Sequence, residues 1–129
     1  MEELTRLAVE AATSAGASYA DARVVDRRGQ RVRVKNGAVE ALTDGRSRGL
    51  GVRVIADGAW GFAGTADTSP EAIRAAARQA ADLARAAATT IAEPVHLMDV
   101  EPAVDSVPAY VQTDPDEVPL EDRIALLME

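Results

Sequence analysis

Three side chains in the last third of the chain have the chemistry of metal ligands. His96, Asp99 and Glu101 form the pattern His-x-x-Asp-x-Glu, and zinc accepts both imidazole nitrogen and carboxylate oxygen. Prolines recur throughout this segment and favour an extended chain, so nothing in the sequence holds the three side chains on one face. We therefore interpret them as part of a solvated loop.

A second cluster is basic. Six basic side chains fall within 13 positions, namely Arg23, Arg27, Arg28, Arg31, Arg33 and Lys35. The last three share one face of a predicted strand, because successive side chains alternate between faces. That face could contact phosphate or an acidic peptide, or it could be the charged outer face that protects a strand from aggregation. No aromatic residues are interleaved for base stacking, which disfavours a nucleic-acid partner.

Other residues that could support catalysis lack the necessary context. The chain has no cysteine and one histidine, so Ser106 has no base to form a nucleophile–base pair. Gly49-x-Gly51 precedes a predicted strand, whereas the dinucleotide-binding glycines follow a strand and open a helix. Trp60 and Phe62 share a strand face, which is more typical of a core or an interface than of a ligand platform. We predict no catalytic, cofactor-binding or metal-binding residue in this chain.

Composition describes the scaffold that must position these residues. The chain has 129 residues, of which 47% are hydrophobic and 3% aromatic, so one domain with a core of Ala, Val, Leu and Ile is expected. The net charge of −7 is uneven: residues 1–90 carry 13 basic and 11 acidic side chains, and residues 91–129 carry 1 and 10. The acidic start is no secretory signal and no apolar run could span a membrane, so we expect a cytoplasmic protein.

The hydrophobic pattern predicts a helix, then strands, then a helix. Apolar residues recur at helical spacing from Leu4 to Ala15 and again after Pro70, where Thr68 or Ser69 would cap the second helix. Between the helices the period is two, interrupted by turn signals at Asn36-Gly37, Asp44-Gly45 and Asp57-Gly58. This pattern predicts an α+β fold: an antiparallel meander of four or five strands with both helices on one face.

The acidic last third has a different texture. Five prolines spread over residues 94–119 forbid a helix there and predict an extended connector. Residues 120–129 return to helical spacing, and the chain ends within that pattern, so we expect further protein downstream. The predicted organisation is a folded domain over 1–90, a proline-rich acidic connector over 91–119 and the start of a helix over 120–129.

The segment from Gly49 to Ala63, GLGVRVIADGAWGFA, resembles the N-terminal domain of the TldD/PmbA family, the modulators of DNA gyrase. Tyr19 to Arg23 is similar to the first strand of that domain, Lys35 to Glu40 to its hairpin, and Thr65 to Ala72 to the start of its second helix. The resemblance covers residues 1 to about 90 and continues more loosely through the connector. The Gly-Val-Arg-Val and Trp-Gly-Phe-Ala segments favour the TldD branch.

The resemblance implies a cytoplasmic zinc peptidase, or its metal-free partner subunit, that acts on unfolded or small peptides as a two-subunit assembly. The family's His-Glu-x-x-x-His helix is absent from this sequence, so no catalytic or metal residue is carried over. Zinc is expected in a C-terminal part outside these residues, and the partner is expected to be a PmbA/TldE-like subunit or a second copy.

Two functional hypotheses follow. In the first, the chain is the non-catalytic N-terminal domain of a TldD-like zinc peptidase, shaping its peptide chamber and its subunit contact. In the second, it is a free-standing binding module whose basic strand, Arg23 to Lys35, captures an acidic peptide or nucleic acid. A His-Glu-x-x-x-His motif downstream would support the first hypothesis, and a stop codon soon after Glu129 the second.

Overall fold

The computed structural model describes residues 1–129 as three helices and one sheet. The elements are α1 (Glu2–Ser14), β1 (Tyr19–Lys35), β2 (Ala38–Ala56), β3 (Ala59–Thr65), α2 (Pro70–Ala88) and α3 (Leu120–Met128). The strands lie in the order β1-β2-β3 as an antiparallel meander. The predicted α+β class is confirmed, but the predicted count of four or five strands is wrong, because there are three.

The strand count differs because two long strands each combine two predicted ones. β1 continues through Gly29, and β2 continues through Asp44-Gly45, where a turn was predicted. The chain does not turn at this dipeptide. The Asp44 carboxylate lies 3.8 Å from the Arg28 guanidinium and 3.5 Å from the Gln30 amide, both on β1. An Asp-Gly dipeptide permits a turn, but continued pairing with a neighbouring strand satisfies the backbone hydrogen bonds of the same residues.

The other two predicted turns are confirmed. Asn36 and Gly37 have φ angles of 51° and 69°, and Asp57 and Gly58 have 52° and 80°. Two consecutive residues with positive φ are the signature of the tight turn that matches the twist of a hairpin. The first turn joins β1 to β2 and the second joins β2 to β3.

The core lies between the sheet and the first two helices. Alternate residues of β2, Val52 and Val54, are fully buried together with Ala8 of α1 and Ile73 of α2. Most of the other buried residues are alanines, whose small side chains allow helices to approach a sheet closely. Both helices therefore pack on one face of the sheet, as predicted.

Local contacts fix the helix ends. Ser69 is the N-cap of α2, and its hydroxyl oxygen accepts a hydrogen bond from the Ala72 backbone N–H at 3.3 Å. This contact decides between the two capping candidates, Thr68 and Ser69. At the C-terminal end of α1, the Ala15 carbonyl accepts a hydrogen bond from the Arg85 guanidinium of α2. The guanidinium thereby satisfies a carbonyl that the end of the helix leaves free.

The chain divides into two compact units. One comprises residues 1–27 and 46–98 and contains the core, while the other comprises residues 28–45 and 99–129. The second unit contains the far end of the β1–β2 hairpin and α3, and residues 99–117 are all exposed. None of the three helices combines the length and the hydrophobicity that a membrane-spanning helix requires.

Candidate functional site

The sheet face turned away from the helices carries polar and aromatic side chains. Arg53 of β2 pairs with Phe62 of β3, and Ile55 pairs with Trp60. Phe62 is 63% exposed and Trp60 36%, whereas Ala59 and Ala63, on the opposite face of β3, are buried. Trp60 and Phe62 share a face, as predicted. This face is not part of the core, so of the three interpretations only an interface or a ligand platform is left.

An ordered cluster lies on this face and consists of Tyr19, Asp21, Arg53 and Trp60. Both Nε and Nη2 of Arg53 donate to one Asp21 carboxylate oxygen, at 2.8 and 2.7 Å. The Arg53 guanidinium carbon lies 4.8 Å from the centroid of the Trp60 ring, within the range of a cation–π contact. Tyr19 meets the same ring edge-on, with centroids 6.0 Å apart.

The charge in this Arg53 cluster is fixed. The hydrogen bond to Asp21, and then the attraction of its carboxylate, raise the pKa of Arg53 above its already high ordinary value. A guanidinium that stays charged and is held on both sides has little freedom to reorient. The cluster therefore links β1, β2 and β3 on the outer sheet face.

Beside this cluster lies an open groove of about 440 Å³. Its floor contains three glycines, Gly49, Gly51 and Gly64, and its walls include Arg23, Val25 and Phe62. Gly51 pairs directly with Gly64 across β2 and β3, so two adjacent strands present bare backbone at this point. We call this depression the glycine groove. It has the size of a small ligand pocket and a mostly apolar lining.

A second ion pair joins β1 to β2. Nε and Nη2 of Arg46 donate to the two carboxylate oxygens of Asp26 at 2.9 and 2.7 Å, a two-point contact. The hydrogen bond from Arg46 lowers the pKa of Asp26 below its ordinary value. The pair connects neighbouring strands and lies outside the residues that line the glycine groove.

The basic run extends along the far half of β1. Arg31, Arg33 and Lys35 are exposed and alternate with the half-buried Val32 and Val34, so the predicted shared face is present. Part of its charge is neutralised locally, since the carboxylate of Glu40 lies 3.6 Å from Arg33 and 4.0 Å from Lys35. The run is a solvated strand face with internal ion pairs.

The candidate metal ligands lie in a segment with neither helix nor strand. His96, Asp99 and Glu101 are all exposed. No group of three or more His, Cys, Asp or Glu side chains in the structure is arranged to hold a metal ion. A zinc site needs three or four protein donors, so the donors of this chain do not fit one.

Sequence reasoning missed the Arg53 cluster and the groove. In the sequence, Gly49-x-Gly51 indicates only that a dinucleotide-binding loop is absent. Two sequence signals point to the groove: Gly49 and Gly51 alternate with Arg53 on one strand face, and the next strand carries two aromatic residues. These signals do not predict the pairing of Gly51 with Gly64, because that pairing depends on the register of β2 against β3.

Comparisons with known proteins agree with this fold. Residues 20–84, half of the chain, match the family described as PmbA/TldA metallopeptidase domain 1. The metalloprotease MJ0996 of Methanocaldococcus jannaschii is 23% identical over 111 residues, covering 86% of this chain and 25% of that protein. The crystal structure of TldE from Thermococcus kodakarensis has a TM-score of 0.63 at 20% identity, covering 90% of this chain and 26% of that one.

The fold and the match together define the chain as the first domain of a multidomain family, the one described as PmbA/TldA metallopeptidase domain 1. It belongs to the PmbA/TldD family, as the N-terminal domain. The chain spans about a quarter of the length of the relatives it matches.

Proposed function

We propose that this chain is the N-terminal domain of a TldD-like zinc metallopeptidase that acts on unfolded or small peptides. In this role it supplies no catalytic group; it shapes the peptide chamber and contributes to the contact with a PmbA/TldE-like partner or a second copy. The observation that carries the proposal is the family match over residues 20–84, which comprises most of β1, all of β2 and β3 and most of α2.

The outer sheet face supports a role in lining the peptide chamber or in contacting the partner subunit. It carries exposed aromatic residues, Trp60 and Phe62, beside a groove with a bare backbone floor. Exposed apolar patches with a polar rim are typical of surfaces that contact a partner or a ligand. The Arg53 cluster connects the three strands beside this groove.

Zinc, in this proposal, is bound outside these 129 residues. No three of its His, Asp or Glu side chains are arranged to hold the metal. When bound, zinc would activate water for attack on a peptide bond. The residues of this chain would act on the substrate through positioning, which is worth up to roughly 7–11 kcal/mol of barrier when the geometry is ideal.

The rival hypothesis, a free-standing binding module on the basic strand, has less support. The charges of Arg28, Arg33 and Lys35 face carboxylates of the same hairpin at 3.6–4.0 Å. A strand partly neutralised by its own hairpin neighbour attracts an acidic partner less strongly.

The test is a deletion in the full-length protein. Residues 1–119 are removed, and the remainder is co-expressed with its partner subunit. We expect zinc occupancy to persist while assembly and peptide cleavage are lost. Undiminished cleavage of unfolded peptides by the deleted form would overturn the proposal, and the binding-module hypothesis would then lead.

A further inference from the structure

We propose that the glycine groove binds an extended peptide segment by an apolar side chain, and that Arg23 pairs with a carboxylate two residues away in the same segment. The choice of a peptide as occupant rests on the proposed function. The location of the site and the requirement for a carboxylate rest on the contacts of the outer sheet face.

The floor of the groove is built to accept a side chain. At Gly64 an added Cβ would meet no atom closer than 3.4 Å, so the space above the backbone is open. At Gly51 an added Cβ would lie 3.1 Å from two ring carbons of Phe62, so this ring covers one end of the floor. Phe62 and Val25, 63% and 47% exposed, then offer apolar walls to an incoming aliphatic group.

Charge complementarity selects the occupant. Of the charged residues lining the groove, Asp21 and Arg53 neutralise each other at 2.7 Å. Arg23 lines the same groove and has no carboxylate within 4.0 Å, unlike Arg46 and Arg53. The groove therefore carries one uncompensated positive charge beside an apolar surface, and a guanidinium is well suited to bind a carboxylate.

The geometry of an extended peptide can place an apolar side chain and a carboxylate on the groove at the same time. In an extended chain, residues at positions i and i+2 project from the same face, about 7 Å apart. An apolar side chain at one position and Asp or Glu at the second next position would thus meet the floor and Arg23 at once.

The test uses the 129-residue chain and two capped peptides, acetyl-Leu-Ala-Glu-amide and acetyl-Leu-Ala-Gln-amide. Trp60 is the single tryptophan and stacks on Arg53, which lines the groove, so its fluorescence should report binding. Backbone amide shifts of Gly49, Gly51 and Gly64 would locate the site. We expect the Glu peptide to bind about 2- to 5-fold more tightly than the Gln peptide at low salt, since the difference is one partly exposed charge pair.

Two variants and their controls complete the test. Arg23→Gln should reduce the affinity for the Glu peptide to that for the Gln peptide and leave the latter unchanged, which is the signature of a direct pair. Arg31→Gln removes a basic residue elsewhere on β1 and should change neither. Gly64→Val fills the floor and should abolish binding of both peptides, whereas Gly29→Val, in an open part of β1, should not.

Three results would overturn the proposal: no binding of the Glu peptide at millimolar concentration, equal affinity for both peptides, or undiminished binding by Gly64→Val. Sedimentation showing that the groove mediates a dimer, broken by Gly64→Val, would assign the surface to a second copy instead. Each of these outcomes is distinct from failure of the proposed function, because the deletion experiment measures assembly and cleavage and does not depend on which peptide the groove accepts.

Discussion

Gly61 is the position where a single side chain would do most damage to the fold. It lies on the buried face of β3, and an added Cβ would be 2.6 Å from the Ala84 backbone nitrogen of α2 and still closer to the Ala80 carbonyl oxygen. Backbone atoms cannot move aside as a flexible side chain can. Gly61 therefore marks a point of direct contact between β3 and α2.

We predict that Gly61→Ala lowers the free energy of unfolding by about 3 kcal/mol or more, the upper end of the cost of overpacking, because α2 must move away from β3. The measurement is urea unfolding followed by Trp60 fluorescence. Gly64→Ala, on the open face of the same strand, is the matched control and should change stability by no more than about 0.5 kcal/mol. Equal effects of the two substitutions would contradict the contact described here.

At the scale of elements, side-chain contacts connect neighbouring segments at defined points. The Asp26–Arg46 pair joins β1 to β2, and the Asp21–Arg53 pair joins the same two strands nearer the core. Arg85 of α2 reaches the last turn of α1 through the Ala15 carbonyl. These contacts fix the relation of elements that alanine-rich packing alone would specify weakly, because alanines have no shape to interdigitate.

We predict that the Asp26–Arg46 pair makes stability depend on acid pH. The pKa of Asp26 is lower in the folded state than the unfolded value of about 3.9, so the folded state binds fewer protons. The contribution is fully present above the unfolded pKa and is lost as the pH falls through the folded pKa. The difference in unfolding free energy between the wild type and Asp26→Asn should thus be constant above about pH 5 and shrink below about pH 4.

Urea unfolding at a series of pH values measures this difference. Glu101→Gln changes an exposed carboxylate of the connector and should follow the wild type at every pH. A difference for Asp26→Asn that does not vary with pH would show that the carboxylate acts by packing and not by its charge.

For the whole molecule, the domain boundary is the property open to test. We propose residues 1–90 as the folded domain and 91–119 as a connector that contributes little to it. The structure adds a small contact beyond Thr90, since the Val95 N–H donates to the Gly58 carbonyl at 2.8 Å and Pro94 packs beside Gly58. Residues 99–117 are exposed throughout.

We predict that limited proteolysis cuts first within residues 99–117, because exposed segments without packing are the sites where proteases act. A chain of residues 1–98 should unfold at the same urea concentration as the full chain. A chain ending at Thr90 loses the bond to Gly58 and should be less stable by about 0.5–1.5 kcal/mol. If residues 1–98 fail to fold, the connector or α3 is part of the domain.

The sequence by itself determined the fold class, the two helices on one face and two of the three turns. These depend on local chemistry: helical spacing of apolar residues from Leu4 and from Pro70, and the tolerance of Asn36-Gly37 and Asp57-Gly58 for positive φ. The family resemblance could also be seen in the segment from Gly49 to Ala63, because its glycines and aromatics have a fixed order.

Only the tertiary structure decided the number of strands and the location of the groove. Asp44-Gly45 has the local chemistry of a turn, but pairing between β1 and β2 kept it extended, and local propensity does not encode that competition. Likewise, Gly51 and Gly64 form one floor only because the register of β2 against β3 places them opposite each other. Register is a property of two strands together, and shifting it by one residue would have sent these glycines to different faces.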